Sequence, residues 1–217
     1  THSIYVDQWD WEKIILRQDR TIGYLQKTVK SIVKAIIKTS DYLKTKGFDG
    51  VELCPDVYFI TSQQLLDMYP TLSAKDREYE ITKKYKTVFI MQIGDLLSDG
   101  QPHDLRAPDY DDWTLDGDLL FYHEVLDMAL EISSMGIRVD KQSLLSQLEK
   151  AGKQDRLAYD FHKSIVDESL PLTIGGGIGQ SRLCQLLLAR AHIGEVQASY
   201  WDKDTILKCK EQGIELL

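Results

Sequence analysis

Between positions 173 and 188 the chain reads TIGGGIGQSRLCQLLL, and four of the five residues from 175 to 179 are glycine. This string constrains the fold more than any other. Leu172–Ile174 reads as a short extended run, and the apolar spacing of Gln180–Arg190 predicts a helix with Arg182 in its opening turn. Glycines ahead of a helix let main chain and free N–H groups approach a bound group, and phosphate is the natural guest. A guanidinium adds a fixed fork for its oxygens. A glycine turn packed tightly on a sheet, with Arg182 in a surface ion pair, fits the same string. It is not a Walker loop, since GK[ST] is absent, and the dinucleotide fingerprint fails for want of its third glycine.

At the other end, IYVDQWDWE (4–12) alternates as a strand, with Tyr5, Asp7, Trp9 and Trp11 on one face and Ile4, Val6, Gln8, Asp10 and Glu12 on the other. An amide and two carboxylates in a row repel one another in an apolar core unless something cationic or hydrogen-bonding lies between them. Apolar residues then recur at helical spacing from about Thr21 to Lys46, while Lys27, Lys30, Lys34, Lys38 and Lys44 take the remaining positions. With no Arg or aromatic residue interleaved, those lysines read as a solvated face.

Further strands are predicted at Val57–Ile60, Thr87–Ile93, Leu119–Tyr122 and roughly Val125–Val139, with a polar loop from about Asp95 to Gly117. Further helices are predicted from Thr61 or Ser62 to Met68, from Ser73 to about Lys86, over Asp140–Ala151 and over Gln154–Glu168. Strands separated by both hairpin-length loops and helices indicate an α+β protein, with a largely antiparallel sheet rather than a doubly wound one.

The chain has 217 residues, enough for one sizeable core, and a net charge of −8, which argues against general nucleic-acid affinity. Three widely spaced cysteines, none in a CxxC pair, fit a reducing compartment, so a cytoplasmic location is expected. No apolar run approaches the roughly 18–20 residues of a membrane span, so no membrane partner is expected.

Two further strings carry chemistry. HDLRAPDYDDW (103–113) crowds Arg106, Asp109, Asp111 and Asp112 together with Tyr110 and Trp113. A DxxDD loop is commonly a solvated turn, but large aromatics tend to fix a loop and its charges against the body. In GDLLFYHEVLDMALEISSMGIRV (117–139), strand alternation sets Asp127, Ala129, Glu131 and Ser133 on one face, where Glu131 is either a Mg²⁺ ligand beside substrate phosphates or merely solvated.

YVDQWDWE, LSDG, HD-x-RAPDYDDW, E-x-SSMGIRVD and TIGGGIGQSRL, in this order over essentially the whole chain, resemble the ammonia-dependent asparagine synthetases. These are relatives of aspartyl-tRNA synthetase built on the class II aminoacyl-tRNA synthetase sheet, antiparallel and flanked by helices. The resemblance implies an ATP-dependent ligase that adenylates the β-carboxylate of aspartate, releases pyrophosphate, and lets ammonia displace AMP to give asparagine. It implies nucleotide contacts from Ser3, Glu131, Ile132, Ser133, Gly177, Gly179 and Arg182, with Glu131 acting through Mg²⁺ and Arg182 gripping the phosphates. Gln8, Asp10, Asp111, Asp118, Ser134 and Arg138 are implied to line the amino-acid pocket, with Trp9 and Trp11 anchoring their strand from behind. Arg138 or Arg106 would neutralise the substrate carboxylate, and Asp111 would attract ammonium and accept a proton; Arg182, Asp111 and Arg106 are thus the implied catalytic set.

The resemblance also carries departures. Ser181 stands where tRNA synthetases commonly have an acidic residue, although the resembling ligases also read this way, and the stretch from Trp113 to Gly117 looks several residues short. Measured against the family, the chain opens midway through the second signature motif. The dimer-forming first motif, a lysine of the aspartate pocket and an arginine for the α-phosphate are then expected in a preceding segment, without which adenylation would be badly impaired. A homodimer is implied. The rival readings are a piece of aspartyl- or asparaginyl-tRNA synthetase and a non-catalytic module binding a nucleotide or amino acid.

Overall fold

A computed structural model describes residues 3–217. The lysine-rich amphipathic segment forms helix α1, Ile22–Thr45, begun by Thr21, whose hydroxyl accepts from the Tyr24 N–H. Leu25, Val29, Val33 and Ile36 are its buried stripe, and the lysines named above are all exposed. That stripe packs on one face of a six-stranded sheet, against Phe89, Leu119, Phe121, Leu130, Met135, Ile137 and Ile174.

The strands are β1 (Gln8–Ile14), β2 (Tyr58–Thr61), β3 (Thr87–Met91), β4 (Asp111–His123), β5 (Met128–Arg138) and β6 (Thr173–Gly179), in the spatial order β1-β6-β5-β4-β3-β2. Every neighbouring pair is antiparallel except β2 and β3. A parallel pair needs a long crossover, supplied here by α2 (Ser62–Met68) and α3 (Ala74–Tyr85). Their apolar residues, with Ile60, Val88, Ile90 and Leu120, form a second cluster on the opposite face of the sheet from α1. The remaining helices are α4 (Lys141–Lys150), α5 (Asp160–Val166), α6 (Gln180–Leu187) and α7 (Lys203–Glu211).

Several expectations change. The glycine string is itself a strand, β6, paired on both sides, so it is neither a phosphate-cradling turn nor a tight turn on the sheet. β4 begins at Asp111, inside the expected polar loop, and the stretch from Trp113 to Gly117 that looked trimmed is strand with one register irregularity. β1 starts at Gln8 instead of Ile4, and Trp9 is half exposed, so only Trp11 packs on the core behind the strand. The segment expected as one helix over Gln154–Glu168 breaks at Tyr159 into a 3-10 turn, Gln154–Ala158, and α5. α7 was not foreseen.

One register line crosses the whole sheet. Asp10, Gly177, Ser134, Asp118, Ile90 and Ile60 are successive paired residues from β1 to β2, so their side chains point to the same face. At the β2 end this face is covered by α2 and α3; at the β1 end it stays open.

Candidate active site

The open end is a cavity of about 490 Å³. Its floor is β6, where glycine is required by close approach. A Cβ on Gly177 would sit 2.8 Å from Asp10 Oδ1 and 3.2 Å from Gln8 Nε2, and one on Gly175 would run into Glu12, Arg138 and the Trp11 carbonyl. Side chains from β1 and β5 therefore lie flat across a stretch, Gly175–Gly179, that has none of its own on that side.

Two guanidinium groups sit among carboxylates here. Arg138 donates to both oxygens of Glu12 (2.8–3.1 Å), pairs with Asp111, and stacks on the Tyr110 ring 4.0 Å from its centroid while donating to the Tyr110 hydroxyl at 3.1 Å. Arg106 pairs with Asp118 and approaches Asp116 Oδ2 at 3.9 Å. The strand period had put Glu12 in register with Gln8 and Asp10, and Arg138 is the cation that their row called for. Burial pushes the carboxyls of Asp111 and Asp118 up to about 6, although Arg138 and Arg106 respectively pull them down. Burial also raises Asp116 well above the usual carboxylate range; it accepts from the Ile93 N–H at 2.9 Å.

Glu131 and Arg182 line the same cavity. Arg182, from the first turn of α6, donates to the Glu131 carbonyl at 3.1 Å and lies 3.8 Å from its carboxylate. Simple alternation had put Ser133 on the face of Glu131. A register shift in β4 and β5 pairs Leu119 with Ser133 but Leu120 with Glu131, leaving Ile132 as an extra residue. Ser133 consequently turns to the α1 side, donating to the Gly177 carbonyl at 2.8 Å, while Ser134 joins Glu131 over the open face. Asp127 is likewise removed from that face, since it lies in a turn with φ +46° before β5 begins.

The structure brings most of the expected residues to one cavity. Gln8, Asp10, Arg106, Asp111, Glu131, Ile132, Ser133, Ser134, Gly177, Gly179 and Arg182 all line it. Ser3 lines it too, its hydroxyl donating to Gln197 Oε1 at 3.0 Å. Asp118 and Arg138 do not reach the wall; they lie beneath it, bound to Arg106 and to Asp111 and Glu12. Sequence reasoning missed Tyr110, Asp116 and Gln197 as members of the site. Tyr110 was recognised as a loop aromatic but not as the partner of Arg138, and Gln197 carried no local signal.

The aspartate-ammonia ligase family model matches residues 1–213. The chain belongs to this family. Aspartate–ammonia ligases of Bacillus cytotoxicus (56% identical), Ruminiclostridium cellulolyticum (53%) and Clostridium tetani (54%) align with all of it. The chain spans just under two thirds of the length of these relatives, 66%, 65% and 64% respectively. Among solved structures, the aspartyl-tRNA synthetase of Entamoeba histolytica superposes with a TM-score of 0.64 at 16% identity, over 94% of this chain and 44% of that one. An asparaginyl-tRNA synthetase from the same organism, in complex with asparaginyl-adenylate, gives 0.62 at 15% identity, over 90% and 47%. At such identities the likeness is one of fold. The chain thus shares the fold of part of these class II aminoacyl-tRNA synthetases, a mixed sheet flanked by helices.

Proposed function

We propose that this chain is the catalytic domain of an ATP-dependent ligase that makes asparagine from aspartate and ammonia, releasing AMP and pyrophosphate. The observation that carries the reading is one cavity lined both by Gln8, Asp10, Arg106 and Asp111, which would form an amino-acid end, and by Glu131 and Arg182, which would form a nucleotide end. A fold neighbour in complex with asparaginyl-adenylate, an amino acid joined to a nucleotide, is consistent with one cavity for both.

The chemistry is anion meeting anion: a β-carboxylate oxygen attacks the α-phosphorus of ATP and pyrophosphate leaves. Such a step depends on placed cations and positioning more than on proton transfer. Arg182 would hold the phosphate chain. Arg106, which lines the cavity where Arg138 does not, is the better placed to neutralise the amino acid's carboxylate, and Gln8 and Asp10 would meet its ammonium and polar atoms. In the second half-reaction ammonia attacks the acyl carbon, AMP departs, and Asp111 would accept the proton shed by the incoming nitrogen. Its carboxyl, raised to about 6, is ionised at neutral pH yet more basic than an ordinary aspartate.

Mg²⁺ would enter with the nucleotide. Among the described residues no cluster of three or more acidic, His or Cys side chains forms a cage for it, and Mg²⁺ commonly takes one or two carboxylates plus substrate phosphates. Glu131 on the cavity wall suits that role, and the ion would offset phosphate charge. In this reading the working molecule is a cytoplasmic homodimer. Free cysteines and the lack, among the described residues, of any helix long and apolar enough to cross a membrane support the compartment; the dimer rests on the family resemblance.

The test is product analysis on the polypeptide as its gene encodes it, supplied with ATP, aspartate and ammonium. Asparagine, AMP and pyrophosphate in equal amounts are expected. Aspartyl-tRNA formation, or ATP binding with no pyrophosphate released, would replace the ligase reading with one of its rivals.

A further inference from the structure

Gln147 does not line the cavity, yet it is hydrogen-bonded to a segment, Pro108–Trp113, that does. It lies on α4, a helix begun by Asp140, whose carboxylate accepts from the Ser143 N–H and is held 3.3 Å from Arg20 Nε. A primary amide offers two N–H donors and one carbonyl acceptor. Gln147 is buried, and its Nε2 donates to the carbonyls of Pro108 and Asp111, both at 3.0 Å, while its Oε1 accepts from the Trp113 N–H at 2.9 Å.

All three partners fall within six residues, and they straddle Asp111. The same segment carries Tyr110 and Asp111, the two groups besides Glu12 that hold Arg138. It is clasped again at Asp109, whose carboxylate binds Arg156 and His162, each at 2.8 Å. An irregular strand start lacks partners for its own main chain, so a buried amide that satisfies three such groups together fixes both its path and its rotation.

We propose that Gln147 is a positioning residue for the amino-acid end of the cavity, holding Pro108–Trp113 where Asp111 and Tyr110 meet Arg138. The substrate named in its test rests on the ligase reading; the placement of the segment does not. Gln147 acts through Asp111 and touches no substrate itself. Among the described residues, Glu131 and Arg182, on β5 and α6, make no hydrogen bond to Pro108–Trp113 or to Gln147.

Gln147→Met keeps the side chain's length and removes all three hydrogen bonds. The KM for aspartate is expected to rise roughly tenfold, in line with the loss of one or two net hydrogen bonds, while the KM for ATP stays within about twofold. A folded variant with an unchanged aspartate KM, or with both KM values rising together, would overturn the proposal. Amide hydrogen exchange on the unaltered protein tests it without a variant: the Trp113 N–H should exchange as slowly as that of Phe121, a β4 residue paired on both sides. Exchange at the rate of the exposed Ser98–Gln101 loop would overturn it just as firmly. If the unaltered protein makes no asparagine, the functional reading fails, while the exchange comparison still decides the role of Gln147.

Discussion

One face of the sheet has two ends built by opposite rules. At the β2–β3 end, Ile60 and Ile90 lie under α2 and α3 with Leu65 and Ile81, in an apolar cluster of ordinary packing. At the β1–β6 end, the same register line continues as Asp118, Ser134, Gly177 and Asp10, with no apolar layer over it. The covered end draws its stability from area removed from water. The open end removes charge from water and balances it with guanidinium groups, an arrangement that contributes little net stability but fixes geometry. Losses at the first should therefore appear as unfolding, and losses at the second as failed chemistry.

The sharpest break in that comparison is Arg182→Ala. Removing a charge-assisted grip on phosphates should lower kcat/KM for ATP by roughly a hundredfold to a thousandfold, with the urea midpoint almost unchanged; unaltered turnover would remove Arg182 from the nucleotide end. Leu65→Ala, under the covered end, should lower unfolding free energy by about 3 kcal/mol in urea titration, with both KM values preserved in the folded fraction. Gly177→Ala tests the open end from its floor. It should displace Asp10 and Gln8 and reduce aspartate-dependent turnover on the order of thirtyfold to a hundredfold, while stability moves by less than about 1 kcal/mol.

The smallest effect is electrostatic. Asp111 and Asp118 bind protons more tightly in the folded protein, near 6, than in the unfolded chain, where the ordinary value is 3.8. Their contribution therefore favours the fold most at low pH and is lost as pH rises through the window from about 4 to 6. Asp118→Asn should flatten that part of the stability profile, and carbon NMR of the wild-type carboxyls should show both titrating near the upper end of the window. A midpoint near 4 for Asp118 would mean that Arg106 outweighs burial.

What could be read from the sequence was what is decided locally. The stripe of α1 repeats at three and four residues, so period alone places Leu25, Val29, Val33 and Ile36 inside. Period two likewise set Gln8, Asp10 and Glu12 on one face, and the structure keeps them there. What failed was decided by partners distant in sequence. Four glycines resemble a turn until Gln8, Asp10, Glu12 and Arg138 are laid across them. Asp111 and Asp112, in a DxxDD string that alone suits a solvated turn, are buried in strand by Arg138, Arg20 and Gln147. The shift at Ile132, which carries Ser134 and not Ser133 to the face of Glu131, needs β4 as a ruler.

Because the floor strand bears only hydrogen atoms on its upper side from Gly175 to Gly179, recognition there is written by subtraction. Any replacement at Gly175 or Gly177 must add bulk, and no replacement can enlarge the space. Evolution can narrow the guest list from below, but a larger guest has to be admitted from the walls.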